Sequence, residues 1–355
     1  MNSVKFWGGG EQWFLQSAAA LRDRGHEVHV AGRRGGVFLA RNSDAGLPTL
    51  GLRLQSDASV LDVLRIRRWL LQHRPACVLC NFPRDIRIAG TAARSVPGTT
   101  VIWVMGVNLL RDRWRDRFWI RHCVDRLVVP SVFLANELKA LPYISPTQIE
   151  VLPIGLDQTR WLRPGAADVQ SARQSLKVPD GPIVGIFARL DPRKGHEHLL
   201  AAWPNIVRVV PSAHLWIVGS GPEEERLRAL ADSHGDRIRF WGFVPDVRTL
   251  MSAVDLVVQP SLYEAFGITL LEAMASCRPI VCTAVGGMGE VVDGKCAVIV
   301  PPSNPESLGK AIVELLKDPG RSERMGTSGR QRFEARFTLN RMIDRLEAIV
   351  QAPRH

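Results

Sequence analysis

The feature that most constrains this chain is an alternation: short runs of β-branched and apolar residues take turns with amphipathic segments from end to end. That rhythm belongs to parallel sheets covered by helices on both faces. The expected strands fall into two sets, 28–31, 76–81, 100–104, 126–130 and 149–152, then 183–187, 213–218, 238–241, 256–258, 279–282 and 297–300. Between the sets lies 153–182, where Pro164, Gly165, Pro179, Asp180 and Gly181 read as an interdomain connection. Two sets imply two Rossmann-like α/β domains, 1–160 and 161–355. Helical patterns close the chain at 305–317, 321–335 and 339–351, the last of them positioned to pack back on the first domain.

Composition narrows the classes. Apolar residues make up 46% and charged residues 23%, as in globular proteins, and no uncharged apolar run nears the ~18 residues of a membrane span. The start, Met1 to Gly10, lacks the basic and apolar regions of a secretory signal, so a cytoplasmic protein is expected. Six scattered cysteines agree. Cys77 and Cys80 form a lone C-x-x-C inside an apolar run, better read as two strand-buried thiols than as a zinc or redox motif. The net charge of +11 is uneven: residues 1–160 hold 22 Lys and Arg against 13 Asp and Glu, residues 161–355 hold 24 against 22. Whatever the basic surface meets, the first half meets it. No finger, RNA-binding signature or recognition-helix pattern accompanies the charge, so nucleic acid is not the expected partner.

The most specific element is SLYEAFGITLLEAMA over 261–275. A strand runs out into a loop holding Glu264, and a helix opens near Ile268 with Glu272 on its first turns. Gly267 allows close backbone approach, and the free N–H groups of the helix start, those of Ile268 and Thr269 among them, face any anion beside them. Carboxylates next to an anion-binding helix start suit a ligand that carries hydroxyls as well as phosphates. A second element, FARLDPRKG over 187–195, follows the first strand of the second domain. Arg189 can grip phosphate oxygens as a fork, and Lys194 adds a point charge. Each standing alone is a solvated loop charge; beside the glutamate element they fit a departing diphosphate. The chain contains no Asp-x-Asp, so the usual carboxylate pair for a metal on a nucleotide sugar is missing, and neither a metal nor another cofactor is expected.

Weaker signals surround these. Gly8, Gly9 and Gly10 precede a helical pattern over 12–24 and make either a phosphate-facing turn or a flexible start. As a dinucleotide fingerprint the stretch fails, because Trp13 stands where G-x-G-x-x-G needs its third glycine. Gly219-Ser220-Gly221-Pro222 is a strand-to-helix turn, and Gly242, Phe243 and Val244 after the next strand offer backbone to a nucleobase.

Taken in order, Arg189 to Gly195, Gly219 to Pro222, Gly242 to Val244, Glu264 to Glu272 and Gly286-Gly287 to Glu290 resemble the retaining glycosyltransferases of family 4, the group 1 enzymes. Gly8 to Glu11 and Arg24 to Val28 resemble that family's first helix and second strand. The resemblance implies a GT-B fold, two Rossmann-like domains with parallel sheets facing across a cleft, the donor on the C-terminal domain and the acceptor on the N-terminal one. It implies that Glu272 binds donor ribose, that Glu264 binds the transferred hexose, that Arg189 and Lys194 hold the diphosphate, and that the backbone of Gly267, Ile268 and Thr269 surrounds it. The implied reaction moves a hexose-type sugar from a nucleotide-diphosphate sugar to a glycan or glycolipid with retention of configuration. Relatives carry a histidine in the loop that here reads Val104-Met105-Gly106-Val107-Asn108, and they have a complete first strand ahead of the glycines, so this start reads as truncated.

An inactive GT-B-shaped binding or partner subunit is the competing reading. The basic first half suits a phosphorylated or membrane-embedded acceptor, such as lipopolysaccharide core in cell-envelope polysaccharide synthesis, met on the inner face of the cytoplasmic membrane. Wound as a helix, 111–126 turns Trp119, Ile120 and Cys123 to one side and Arg111, Trp114, Arg115, Phe118, Arg121 and His122 to the other. Either that basic and aromatic face docks on an anionic membrane, or Trp114 and Phe118 pack under a neighbouring loop.

Overall fold

A computed structural model describes residues 1–4, 7–54, 56 and 59–352. The chain forms two compact units, one of Met1–Ile154 with Asn340–His355 and one of Gly155–Leu339.

In the first unit all strands pair in parallel. β1 (Val30–Arg33) pairs with β2 (Thr49–Leu52) as one small sheet. β3 (Cys77–Cys80), β4 (Thr100–Val104), β5 (Arg126–Val129) and β6 (Ile149–Val151) form a second sheet in that order. The segment at β2 carries Gly51 and only Thr49 as a β-branched residue, which is why composition alone passes it over. Helix Leu339–Gln351 turns Met342, Ile343, Leu346 and Ile349 inward at helical spacing. From Asn340 on it belongs to this unit, where Trp13 donates to the Met342 sulfur at 3.0 Å and Arg126 donates to the Ile349 carbonyl. The expected truncated start touches residues 5 and 6, which lie outside the described residues.

The second unit holds one six-stranded parallel sheet. β7 (Ile183–Phe187), β8 (His214–Val218), β9 (Ile238–Gly242), β10 (Leu256–Gln259), β11 (Ile280–Thr283) and β12 (Ala297–Val300) lie in the order β9-β8-β7-β10-β11-β12. The unit's first strand is therefore central, and the order reverses between β7 and β10. All five residues of β7 are buried, as expected where helices cover both faces. Helix His196–Val209 buries Leu199, Leu200, Trp203 and Ile206 against helix Pro305–Lys317, and Gly309 brings the two backbones close at Ala202.

The stretch 153–182 is not a bare connection. It contains helix Ala166–Ser175, and the Gly165 N–H donates to the Asp168 carboxylate at 2.8 Å. Gly165 and the breakers 179–181 are the ends of that helix and its exit, a capping pattern that resembles a linker when only composition is counted.

Candidate active site

The site grows from the reversal of strand order in the second unit. Where β7 and β10 lie side by side, the loops leaving their C-terminal ends cannot be covered by crossing helices, and a crevice remains. The loop after β7 carries Arg189 to Gly195; the loop after β10 carries Ser261 to Gly267.

Glycines weld these loops together. Gly195 has φ +71°, and a Cβ there would sit 2.0 Å from the Pro260 carbonyl oxygen, so only glycine lets the two backbones meet. Across the junction the Leu262 N–H donates to the Arg193 carbonyl at 2.7 Å, and the Thr269 hydroxyl donates to the Phe187 carbonyl at 2.9 Å. From the next strand end, Gly287 donates its N–H to the Glu264 carbonyl at 2.9 Å. The turn 219–222 joins in the same way: Leu190 donates to the Ser220 carbonyl, and a Cβ on Gly219 would meet the Ala188 carbonyl at 2.0 Å.

Charge is arranged on this frame. Asp191 takes the Arg193 guanidinium in a two-pronged pair, at 2.9 and 3.1 Å, which holds the Asp191 carboxyl down at about 2. That pair neutralises itself. Arg189 is exposed, and among the described residues its guanidinium makes no hydrogen bond or salt bridge, while its carbonyl accepts from the Asp191 N–H at 2.9 Å. Lys194 forms an ion pair with Glu264, and Gln259, the buried last residue of β10, donates its amide to the same carboxylate at 3.2 Å. Beside them helix Ile268–Ala275 begins at Gly267, whose φ is +101°; the Leu270 N–H turns back to the Gly267 carbonyl at 3.0 Å, and the N–H groups of Ile268 and Thr269 are left without helical acceptors. Glu272 sits on the next turn. Burial pushes its carboxyl up to about 8, with the negative charge of Asp246 adding to the push. Asp246 itself is held low by Arg248.

The structure thus brings Lys194, Glu264, Gly267, Ile268 and Thr269 to one junction, with Arg189 on the same loop and Glu272 further along the same helix. Gly242 lies at the end of β9 and accepts from the Gly219 N–H at 2.8 Å, with Phe243 exposed and Val244 half-buried just beyond. Gly10 belongs to the first unit, on the opening turn of helix Gly9–Asp23, where a Cβ would come 3.3 Å from the Asn81 amide nitrogen. Sequence reasoning missed Gln259 and Asp246. Glutamine inside an apolar strand was the available signal for the first: a buried amide there must find a polar partner. Among the described residues no group of three or more His, Cys, Asp or Glu could hold a metal ion. Cys80 is buried and Cys77 half-buried, their thiols pushed up to about 12 and about 11 by desolvation, unsuited to nucleophilic work.

Away from this junction, helix Trp114–Cys123 buries Ile120 and Cys123 and exposes Arg115, Phe118 and Arg121, with Trp114 76% exposed. No neighbouring loop covers Trp114; Phe118 instead stacks on His122 at 4.5 Å. A second exposed face, unnoticed in the sequence, lies on helix Val60–His73, where Val60, Leu61, Leu64 and Leu71 face solvent together with Arg65 and Arg68.

An arrangement of two cations, a helix start and two carboxylates can hold a phosphorylated, hydroxyl-bearing ligand, and the comparisons with known proteins bear on which. Residues 168–332 match the family model described as glycosyl transferases group 1, and residues 7–160 match that of glycosyltransferase family 4. A GDP-mannose-dependent monoacylated alpha-(1-6)-phosphatidylinositol monomannoside mannosyltransferase of Corynebacterium glutamicum is 33% identical over 64% of this chain and 62% of its own. A glycogen synthase of Mycobacterium tuberculosis is 30% identical over 78% of this chain and 65% of its own. The matches thus span somewhat under two thirds of these curated relatives. Among solved structures, Anabaena Alr3699/HepE in complex with UDP and glucose superposes with a TM-score of 0.85 at 19% identity, covering 99% of this chain and 98% of that one, a likeness of fold.

Proposed function

The chain belongs to the group 1 glycosyltransferases of GT-B fold, and from that premise we propose that it moves a hexose-type sugar from a nucleotide-diphosphate sugar to a glycan or glycolipid acceptor, with retention of configuration and without a bound metal. The observation that carries this reading is the junction after β7 and β10, where cations, helix-start amides and carboxylates converge at the strand-order reversal.

Arg189 and Lys194 neutralise the diphosphate as it leaves, and the amides of Ile268 and Thr269 take its oxygens in fixed positions. Lys194 needs no rotation out of solvent for this, because Glu264 already holds it at the crevice. Glu264, with one oxygen engaged by Lys194 and Gln259, keeps the other for a hexose hydroxyl. Glu272 meets ribose. Its carboxyl, uncharged at neutral pH while unliganded, can donate to one hydroxyl or accept from another. Retention follows from the family resemblance: the leaving phosphate oxygen takes the acceptor's proton on the face it departs from. Catalysis is then positional and electrostatic.

The acceptor falls to the N-terminal unit, whose charge suits a phosphorylated or membrane-embedded glycan met at the inner face of the cytoplasmic membrane. Arg111, Trp114, Arg115, Phe118 and Arg121 form a basic and aromatic face for such a surface. Among the described residues no helix is long and apolar enough to cross a membrane.

The test is transfer from UDP-, GDP- and ADP-sugars to a panel of glycan and glycolipid acceptors, run with and without EDTA, with NMR of the new linkage. Retention with turnover surviving EDTA is expected. An inverted anomeric centre, or activity lost to EDTA and restored by Mg²⁺, overturns the mechanism; nucleotide-sugar binding without any transfer or hydrolysis favours the inactive subunit.

A further inference from the structure

β10 is buried along its whole length, yet its last residue is a glutamine. Leu256 and Val258 point to one face, into the core shared with helices His196–Val209 and Pro305–Lys317, and Val257 and Gln259 point to the other. Gln259 is 3% exposed and pairs in register with Cys282 of β11. Its amide nitrogen donates to the Glu264 Oε2 at 3.2 Å, and among the described residues no group donates to its carbonyl oxygen. A buried amide satisfied at one end only costs stability that an apolar side chain of the same length does not. The contact with Glu264 is what the strand gains from it.

That contact completes the fixing of Glu264. The backbone is already held, since the Glu264 carbonyl accepts from the Gly287 N–H at 2.9 Å and the Leu262 N–H ties the loop to the Arg193 carbonyl at 2.7 Å. The side chain has two holders, Lys194 and Gln259, both on Oε2. An arriving donor affects the two differently. Lys194 is a point charge on a flexible four-carbon stem, and a diphosphate competes with Glu264 for it. Gln259 is neutral, short and anchored on a strand between β7 and β11, so an anion does not draw it away.

We propose, on the premise that this junction takes a nucleotide-sugar donor, that Gln259 is a positioning residue: its amide keeps the Glu264 carboxylate in one orientation when the diphosphate engages Lys194, and so keeps Oε1 available to the hexose. A neutral amide suits this place. A cation there would compete for the diphosphate, and an apolar side chain would leave Glu264 free to follow Lys194 toward the phosphates.

The test compares the full chain as wild type, Gln259→Met and Gln259→Glu, with UDP-glucose, GDP-mannose and ADP-glucose as donors and hydrolysis or transfer as the rate. Methionine keeps the length and removes the amide. It is expected to leave Tm unchanged or higher and donor Kd within ~3-fold, while kcat falls at least ~10-fold, because a displaced Glu264 costs rate rather than affinity. Glutamate keeps the shape and substitutes a titrating donor. Burial and the charge of Glu264 both raise its pKa, so under acidic conditions it is protonated and donates as the amide does, and as pH rises it ionises and repels Glu264. The ratio of its kcat to that of the wild type is therefore expected to fall at least ~10-fold from about pH 5 to about pH 8. Lys194, Arg193 and the Cys282 thiol, which burial pushes up to about 12, are common to both proteins and cancel in that ratio. Unchanged kcat in Gln259→Met overturns the inference. So does a loss of Tm beside the loss of kcat with a flat glutamate ratio, which would make Gln259 a structural residue. If the methionine variant does not fold, the glutamate ratio decides alone. A wild type that neither binds nor turns over any of the three donors overturns the donor site and the inference with it, a result distinct from a working enzyme indifferent to Gln259.

Discussion

The two units solve the same folding problem with different sheets. Both are built from parallel strands with helical crossovers, yet the C-terminal sheet is continuous through its buried first strand while the N-terminal strands divide into a pair and a foursome. The continuous sheet carries the candidate site, because where β7 and β10 pair the two loops meet and set Lys194 against Glu264. The N-terminal unit holds nearly all the excess positive charge and its exposed aromatic face, and suits a large, variable partner. The proposed function thus assigns precision to one half and adhesion to the other.

Damage to the junction should break the contrast most visibly. Arg189→Ala and Lys194→Ala are each expected to lower turnover by ~10²-fold or more with Tm unchanged, because each removes one preorganised charge on the departing diphosphate. Steady-state kinetics and melting curves check this, and parallel losses of Tm and turnover would make both residues structural. Next in size is Gly195→Ala. With φ +71° and a Cβ 2.0 Å from the Pro260 carbonyl, it must pry the two loops apart, costing about 2 kcal/mol or more in urea unfolding. A neutral result would mean that the weld between the loops is not needed.

A subtler probe is Glu272→Gln. The folded carboxyl titrates at about 8 against 4.5 for an ordinary glutamate, so between those values the folded state keeps a proton that the unfolded chain has released. Stability contributed in that way is fully present below pH 4.5 and is lost as pH rises to about 8. The variant should therefore gain Tm on the wild type steadily over that window, level off above it, and bind donor more weakly. A Tm difference independent of pH would show that the carboxyl is not desolvated.

The smallest effect belongs to the other half. Arg111→Glu with Arg115→Glu should weaken co-sedimentation with anionic vesicles by about 1 kcal/mol per arginine, an effect fading at high salt, while donor hydrolysis stays intact. Binding indifferent to lipid charge would dismiss that face.

Legibility cut across that division, since the strands of both units other than β2 fall within a residue or two of where the sequence puts them. The C-terminal strands fall within a residue or two of where β-branched runs put them, because strands buried on both faces write themselves as continuous apolar segments. The motif residues were found on the loops because glycines, prolines and charges mark strand ends. Three things stayed hidden. β2 is a short strand with a glycine in it; helix Ala166–Ser175 was masked by its own caps; and Lys194 reaches Glu264 and its neighbour Gln259 from 70 residues away in the chain. Pattern reading reaches local periodicity and stops where the fold brings distant side chains together.

The central claim, that the junction after β7 and β10 is a nucleotide-diphosphate-sugar site, is tested most directly by calorimetric titration of the full chain with UDP-, GDP- and ADP-sugars, beside the Arg189→Ala, Lys194→Ala double variant. Saturable binding of one donor class is expected, weakened about 100-fold or more in the double variant, as loss of two charge-assisted contacts requires. Equal affinity in the two proteins would contradict the claim, since the diphosphate would then lie elsewhere.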